Sequence, residues 1–191
     1  MATANRERVL RAATSSFLSR GYRSSVDDIA RRAGVAKQTV YHHFPSKDAL
    51  FKAVALDLAT GVLVGLESPP RDLRAGLLRF ALAYRGRALG PQGIATFRTL
   101  VPEVMRFPAL ARTMYAGSAG VLVRRLAEIL SQAMDAGRLR RDDPELAAEL
   151  LLSMLAGLDR IKRLFGVPRP VESEAHRTAR IVDCFLRAYD K

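Results

Sequence analysis

The chain has 191 residues, 49% of them apolar and 26% charged, enough to bury roughly 70% of its unfolded surface without disulfide or metal staples, which excludes overall disorder. One cysteine, Cys184, excludes an intrachain bridge, and no apolar run reaches the ~20 residues that span a bilayer; the longest, 53–66, contains Asp57. Lys and Arg outnumber Asp and Glu by 31 to 19, and a net charge of +12 draws a protein to polyanions, whether nucleic acid or anionic lipid.

The first 50 residues hold nine basic and four acidic side chains, net +5, so charge is densest at the N-terminal end. That start is too charged for the apolar core of a secretion signal, and with the lone cysteine it predicts a cytoplasmic protein.

Apolar residues then recur at helical spacing, Val9, Ala13, Phe17 near the start and Leu146, Leu150, Met154, Leu158 near the end, with no alternating stretch of β-formers. The prediction is all-α. Gly and Pro punctuation at Gly21, Gly34, Pro45, Pro69-Pro70, Gly90-Pro91, Pro102, Pro108, Gly137, Pro144 and 166–170 sets the boundaries. About nine helices follow, near 4–20, 25–32, 36–43, 46–66, 70–89, 92–105, 108–136, 144–165 and 171–189. Tight turns join the first three, and longer helices come after, so a small head over residues 1–46 precedes a helical body over 47–191.

The head carries the chemistry. Ser25 caps a helix whose third residue, Asp28, resembles the acid of a shortened capping box. Ile29 and Ala30 point inward, with Ala30 small enough for a second helix to cross it. Gly34 takes the left-handed conformation that ends the first helix, and Val35 and Val40 hold the second against it. That is the spacing of a helix-turn-helix, whose second helix enters a DNA major groove. Lys37, Gln38, Thr39, Tyr41 and His42 cluster on the exposed face of that second helix, all long or hydrogen-bonding.

The segments Asp28-Ile-Ala-Arg-Arg-Ala-Gly-Val and Thr39-Val-Tyr-His-His-Phe-Pro-Ser-Lys-Asp-Ala-Leu-Phe51 resemble the signature of the tetracycline-repressor (TetR) family over roughly residues 6–55. The resemblance implies a three-helix DNA-binding head, a helical ligand-binding and dimerisation body, and no catalysis. It implies that Tyr41 and Lys47 hold phosphates, Lys47 at the start of the fourth helix, and that Lys37, Gln38, Thr39 and His42 face bases or the adjacent backbone. Two positions depart from the pattern: Ala36 stands where a capping Ser is frequent, and Gln38 where a small residue or Pro is. Ser24-Ser25 replaces a more usual Thr pair and keeps the hydroxyl cap.

Other features leave alternatives. His42 and His43 diverge by about 100° on a helix and suit one metal ion poorly, and no catalytic or cofactor motif is present, so neither enzyme nor cofactor is expected. The segment 117–120, Gly-Ser-Ala-Gly, is either room for a ligand or packed helix, or a break between two helices. Phe80, Tyr84, Phe97, Met105, Phe107, Met114 and Tyr115 either line a cavity or fill a core. No fixed charge cluster stands out in the body, which predicts a small, largely apolar effector.

In the last two helices, Leu146, Leu150, Met154, Leu158 and Ala175, Ala179, Val182, Leu186, Tyr189 lie beside a second line, Leu151, Leu155, Ile181 and Phe185. A helix apolar on two faces needs two partners, either a second subunit or more of its own core; Ala156 and Gly157 would permit close approach. The expected partners are therefore double-stranded DNA, a second copy through the last two helices and a small effector, with no membrane. The alternative is a protein-interaction module whose head only packs.

Overall fold

The structure is a computed structural model that describes residues 2–63, 72–105, 108–168 and 172–190; Pro69, Pro70, Phe107 and Pro170 lie outside them. It is all-helical. In chain order the helices are α1 Ala2–Arg20, α2 Val26–Ala33, α3 Lys37–His43, α4 Lys47–Leu63, α5 Leu73–Ala88, α6 Pro91–Leu100, α7 Pro108–Gly117, α8 Ala119–Asp135, α9 Pro144–Leu164 and α10 Glu174–Ala188. The stretch 108–136, expected as one helix, is two. Ser118 turns between α7 and α8, its N–H donating to Tyr115 O at 3.2 Å and its hydroxyl to Met114 O at 2.6 Å, so 117–120 breaks the helix.

Caps set the other boundaries. Asp72, Asp143 and Ser173 each accept backbone N–H bonds from the first turn of α5, α9 and α10, and Pro144 occupies the first position of α9, where its missing N–H costs nothing.

The chain forms two compact units, Met1–Ala59 with Ala95–Ala119, and Thr60–Ile94 with Gly120–Lys191. In the first, Val9, Ala13 and Phe17 of α1, Ile29 and Ala30 of α2, Val40 of α3 and Leu50, Phe51 and Val54 of α4 form one buried core. Met114 of α7 packs against it.

The second unit buries Leu77 and Phe80 of α5, Leu126 and Leu130 of α8, Leu151 and Leu155 of α9, and Val182 and Phe185 of α10. Tyr84 packs against this core, ring on ring with Phe80 at 5.9 Å. The aromatic and Met residues singled out in the sequence thus do not act as one set. Phe80 and Tyr84 belong to this core and Met114 to the other, while Met105 is 90% exposed.

A charge cluster runs through the second unit, correcting the expectation that none stands out. Arg85, 1% exposed, donates from Nε to Glu174 Oε1 at 2.8 Å, from Nη2 to Asp159 Oδ2 at 2.9 Å and from Nη1 to Leu155 O. Arg177 grips Asp159 with both ends of its guanidinium, at 2.8 and 2.9 Å, and Arg163 joins Glu174 at 3.1 Å to Leu89 O at 2.6 Å. Burial alone would raise the Asp159 carboxyl, but bonds from Arg177 and Arg85 outweigh it and hold that group below the ordinary carboxylate range.

The two apolar lines of α9 part company. Ala147, Ala148, Leu151, Leu152, Leu155 and Ala156 are buried, whereas Leu146, Leu150, Met154, Leu158, Ile161 and Phe165 face outward, Leu158 at 67% exposure. A Cβ added at Gly157 on that helix would meet nothing within 4 Å. On α10, by contrast, Val182, Phe185 and Tyr189 go into the core, Ile181 and Leu186 are half-buried, and Arg180, Cys184 and Arg187 face out.

Candidate nucleic-acid interface

The sequence between α1 and α4 folds locally for stated reasons. Ser24 is buried and anchors the entry, its hydroxyl donating to Ser16 O at 2.9 Å and Gly21 O at 3.1 Å. Ser25, extended at φ −77° and ψ 149°, accepts the Asp28 N–H at 3.1 Å and so caps α2. At the other end Gly34 has φ +63°, its N–H bonds Arg31 O at 3.1 Å, and the Val35 N–H reaches back to Ala30 O at 3.0 Å. These are the two bonds of a Schellman motif, with Ala30 in the buried core and Val35 packed against that core.

Two arginines of α1 brace α2, one at each end. Arg8 Nη2 donates to Gly34 O at 3.1 Å, and Arg20 pairs with Asp28, which Arg31 also reaches. Ala36, the residue before α3, supplies no side-chain cap, as the departure in the sequence implied.

On α3, Val40 is buried and aims into the core while Lys37, Gln38, Tyr41 and His42 are exposed and Thr39 is half-buried. Those five, with Ser25, therefore lie where a duplex could reach them. The His42 and His43 rings sit edge to face at 5.2 Å, and no cluster of metal-binding side chains occurs among the described residues.

Lys47 differs in being half-buried. It opens α4, with its Nζ 4.2 Å from the centroid of the Tyr22 ring, and Tyr22 in turn bonds Asp48 through its hydroxyl. Burial lowers the Lys47 ammonium, partly offset by Asp48; burial, then the bond to Asp48, pushes the Tyr22 phenol up to about 12. Tyr22 also packs edge-on to Phe51 at 5.4 Å, so the ring beneath the ammonium is fixed by the core.

Sequence reasoning missed Tyr22, and it missed Arg6, whose guanidinium lies 5.3 Å from the Phe44 ring just beyond α3. It also missed Asp27, which holds Lys37 by an ion pair at 3.0 Å. Asp27 and Lys37 are ten positions apart on different helices, and no spacing rule pairs them.

The chain matches two family models, bacterial regulatory proteins of the tetR family over residues 9–54 and the AefR-like transcriptional repressor C-terminal domain over residues 75–191. Among solved structures it is similar to the flavonoid-responsive regulator FrrA, with 33% identity, a TM-score of 0.77 and coverage of 97% of each chain. Among curated proteins it is similar to an HTH-type transcriptional regulator of Mycobacterium bovis, 31% identical over 76% of this chain and 75% of that one. The regulator BetI of Rhizobium meliloti is 26% identical over 86% and 80%.

Proposed function

Because the chain belongs to the TetR family of transcriptional regulators, which combine a DNA-binding domain with a C-terminal ligand-binding domain and are typically repressors, we propose that it is a homodimeric cytoplasmic repressor released from its operator by a small, largely apolar effector. Two copies place their α3 helices about 34 Å apart, in successive major grooves of a palindrome. The observation that carries this is the face of α3: four exposed long or hydrogen-bonding side chains on a helix whose opposite side, Val40, is locked into the core.

Roles follow from placement. Lys37, Gln38, Thr39 and His42 face bases or neighbouring backbone, Tyr41 and Lys47 take phosphates, and Ser25 meets the backbone at the start of α2. Base-facing side chains thus precede residue 46, and the effector and partner surfaces follow it. The outward line of α9 supports the second copy, since Leu146 to Phe165 form an exposed apolar stripe of the kind that marks an interface. α10 contributes beside it.

The effector acts through differential affinity alone, so taking the DNA-bound population from 99% to 1% requires about 5.5 kcal/mol. A small effector with aromatic character is consistent with the similar protein being named flavonoid-responsive. The chain acts by binding and carries out no reaction of its own.

Selection of bound fragments from random duplex DNA at about 0.15 M salt, where phosphate attraction is screened, tests the reading. Enrichment of a palindrome supports it. A folded protein that enriches nothing would instead be an interaction module, and Lys37→Ala with Tyr41→Ala would then alter no binding.

A further inference from the structure

The recognition helix does not present all its positive charge freely. Lys37 is the first residue of α3 and Asp27 the second of α2; the Lys37 ammonium lies 3.0 Å from each of the two Asp27 carboxylate oxygens. Both side chains are more than half exposed, at 52% and 66%, so this is an ion pair on the surface and not a structural tie. Nothing in the packing of α2 against α3 requires it, because Ile29, Ala30, Val35 and Val40 already hold the two helices together. The hydrogen bond to Asp27 and its charge raise the Lys37 pKa, so the ammonium remains charged while occupied.

An exposed carboxylate beside a DNA-facing helix is costly for any duplex. It repels phosphates, and it occupies a cation that would otherwise displace counterions from the polyanion, the process that drives sequence-independent binding. A site on DNA recovers that cost only by offering the ammonium acceptors as good as the two oxygens it gives up, and guanine O6 and N7 are such a pair.

We propose that Asp27 is a specificity-determining residue of the DNA-binding surface, holding Lys37 in place for a base-edge acceptor and withholding it from phosphates. This rests on the DNA-binding reading above. Asp27 touches no base; it acts through Lys37 and is a positioning residue.

The test compares wild type, Asp27→Asn, Asp27→Glu, Lys37→Ala and the Asp27→Asn/Lys37→Ala double variant on the selected palindrome and on a scrambled duplex across a salt series. Circular dichroism melts confirm that each is folded. With Lys37 released, Asp27→Asn binds scrambled DNA more tightly, with a salt slope steeper by about 0.9, one extra phosphate contact. Its preference for the palindrome falls roughly tenfold, the scale of one lost base discrimination. Asp27→Glu restores both; in the Lys37→Ala background the Asn substitution leaves the preference and the salt slope unchanged and tightens scrambled binding only by the smaller amount that removing one repelling charge gives.

An unchanged preference and slope in Asp27→Asn overturns the inference. So does an equal gain with and without Lys37, which would make Asp27 merely one negative charge among others. Wild type that selects no palindrome overturns the DNA-binding reading itself, whereas a selective wild type with an indifferent Asp27→Asn overturns only the role of Asp27.

Discussion

The Lys47 ammonium stands over the face of Tyr22, 4.2 Å from the ring centroid. A cation at that distance is held by the ring quadrupole without giving up its hydrogen-bond donors, which remain available to a phosphate. Lys47→Ala should weaken binding to palindrome and scrambled DNA alike and reduce the salt slope by about 1, read from affinities measured between 50 and 200 mM salt. Tyr22→Leu should produce a smaller loss of the same sequence-independent kind, about 0.5–1 kcal/mol.

The cap of α2 and the turn after it make separable predictions. Ser25→Ala removes the acceptor of the Asp28 N–H and should cost about 1 kcal/mol in urea unfolding. Gly34→Ala forces a side chain to φ +63° and brings its Cβ to 2.5 Å from Arg8 Nη2. The guanidinium can move aside, so the backbone sets the cost, about 1–2 kcal/mol. Both melting curves should keep the wild-type slope against urea.

Two subunits joined by α9 would bury the outward stripe, in which Leu158 is 67% exposed. Leu158→Arg places a charge there and should yield a folded monomer in sedimentation velocity, with DNA affinity lowered because one head reads half a palindrome. Gly157→Leu should act in the same direction by holding the helices apart, since nothing in its own subunit lies within 4 Å of its Cβ.

The buried cluster predicts how stability responds to acid. Arg85→Ala removes a buried guanidinium and the donor to Leu155 O while Asp159 keeps Arg177 and Glu174 keeps Arg163, and should cost about 1–3 kcal/mol. The Asp159 pKa is lower in the folded than in the unfolded chain. Its contribution is therefore fully present above the unfolded value of about 3.9 and is lost as pH falls through the lower folded value. Asp159→Asn should flatten the fall in melting temperature across that acid window, compared by calorimetry at matched ionic strength.

The parts of this molecule that were legible in sequence are those fixed by neighbours along the chain. Ser25, Gly34 and Val40 each answer a local requirement, a cap, a positive φ and a buried contact, and each lies where its spacing placed it. Arg85 meets Asp159 and Glu174 across 74 and 89 positions, and in sequence it is one arginine among many. The lines of α9 and α10 were visible as lines, but periodicity cannot say which one its own core takes. On α9 the core takes Leu151, Leu152 and Leu155 and leaves Leu146, Leu150, Met154 and Leu158 outside, while α10 gives most of its apolar surface to the core. Ser118 was ambiguous because one residue decides whether two helices run on as one.

Met114 packs against a core that is otherwise built from the first four helices. Recognition heads are attractive parts to exchange between regulators, as cassettes that bring a new operator to an existing sensor. A cassette cut from the front of this chain would leave Met114 behind, with its apolar side chain facing a foreign surface. Chimeras should therefore carry the residue that meets Met114's partners as well as the α3 face, and the seam of any such exchange would have to be designed in two places along the chain.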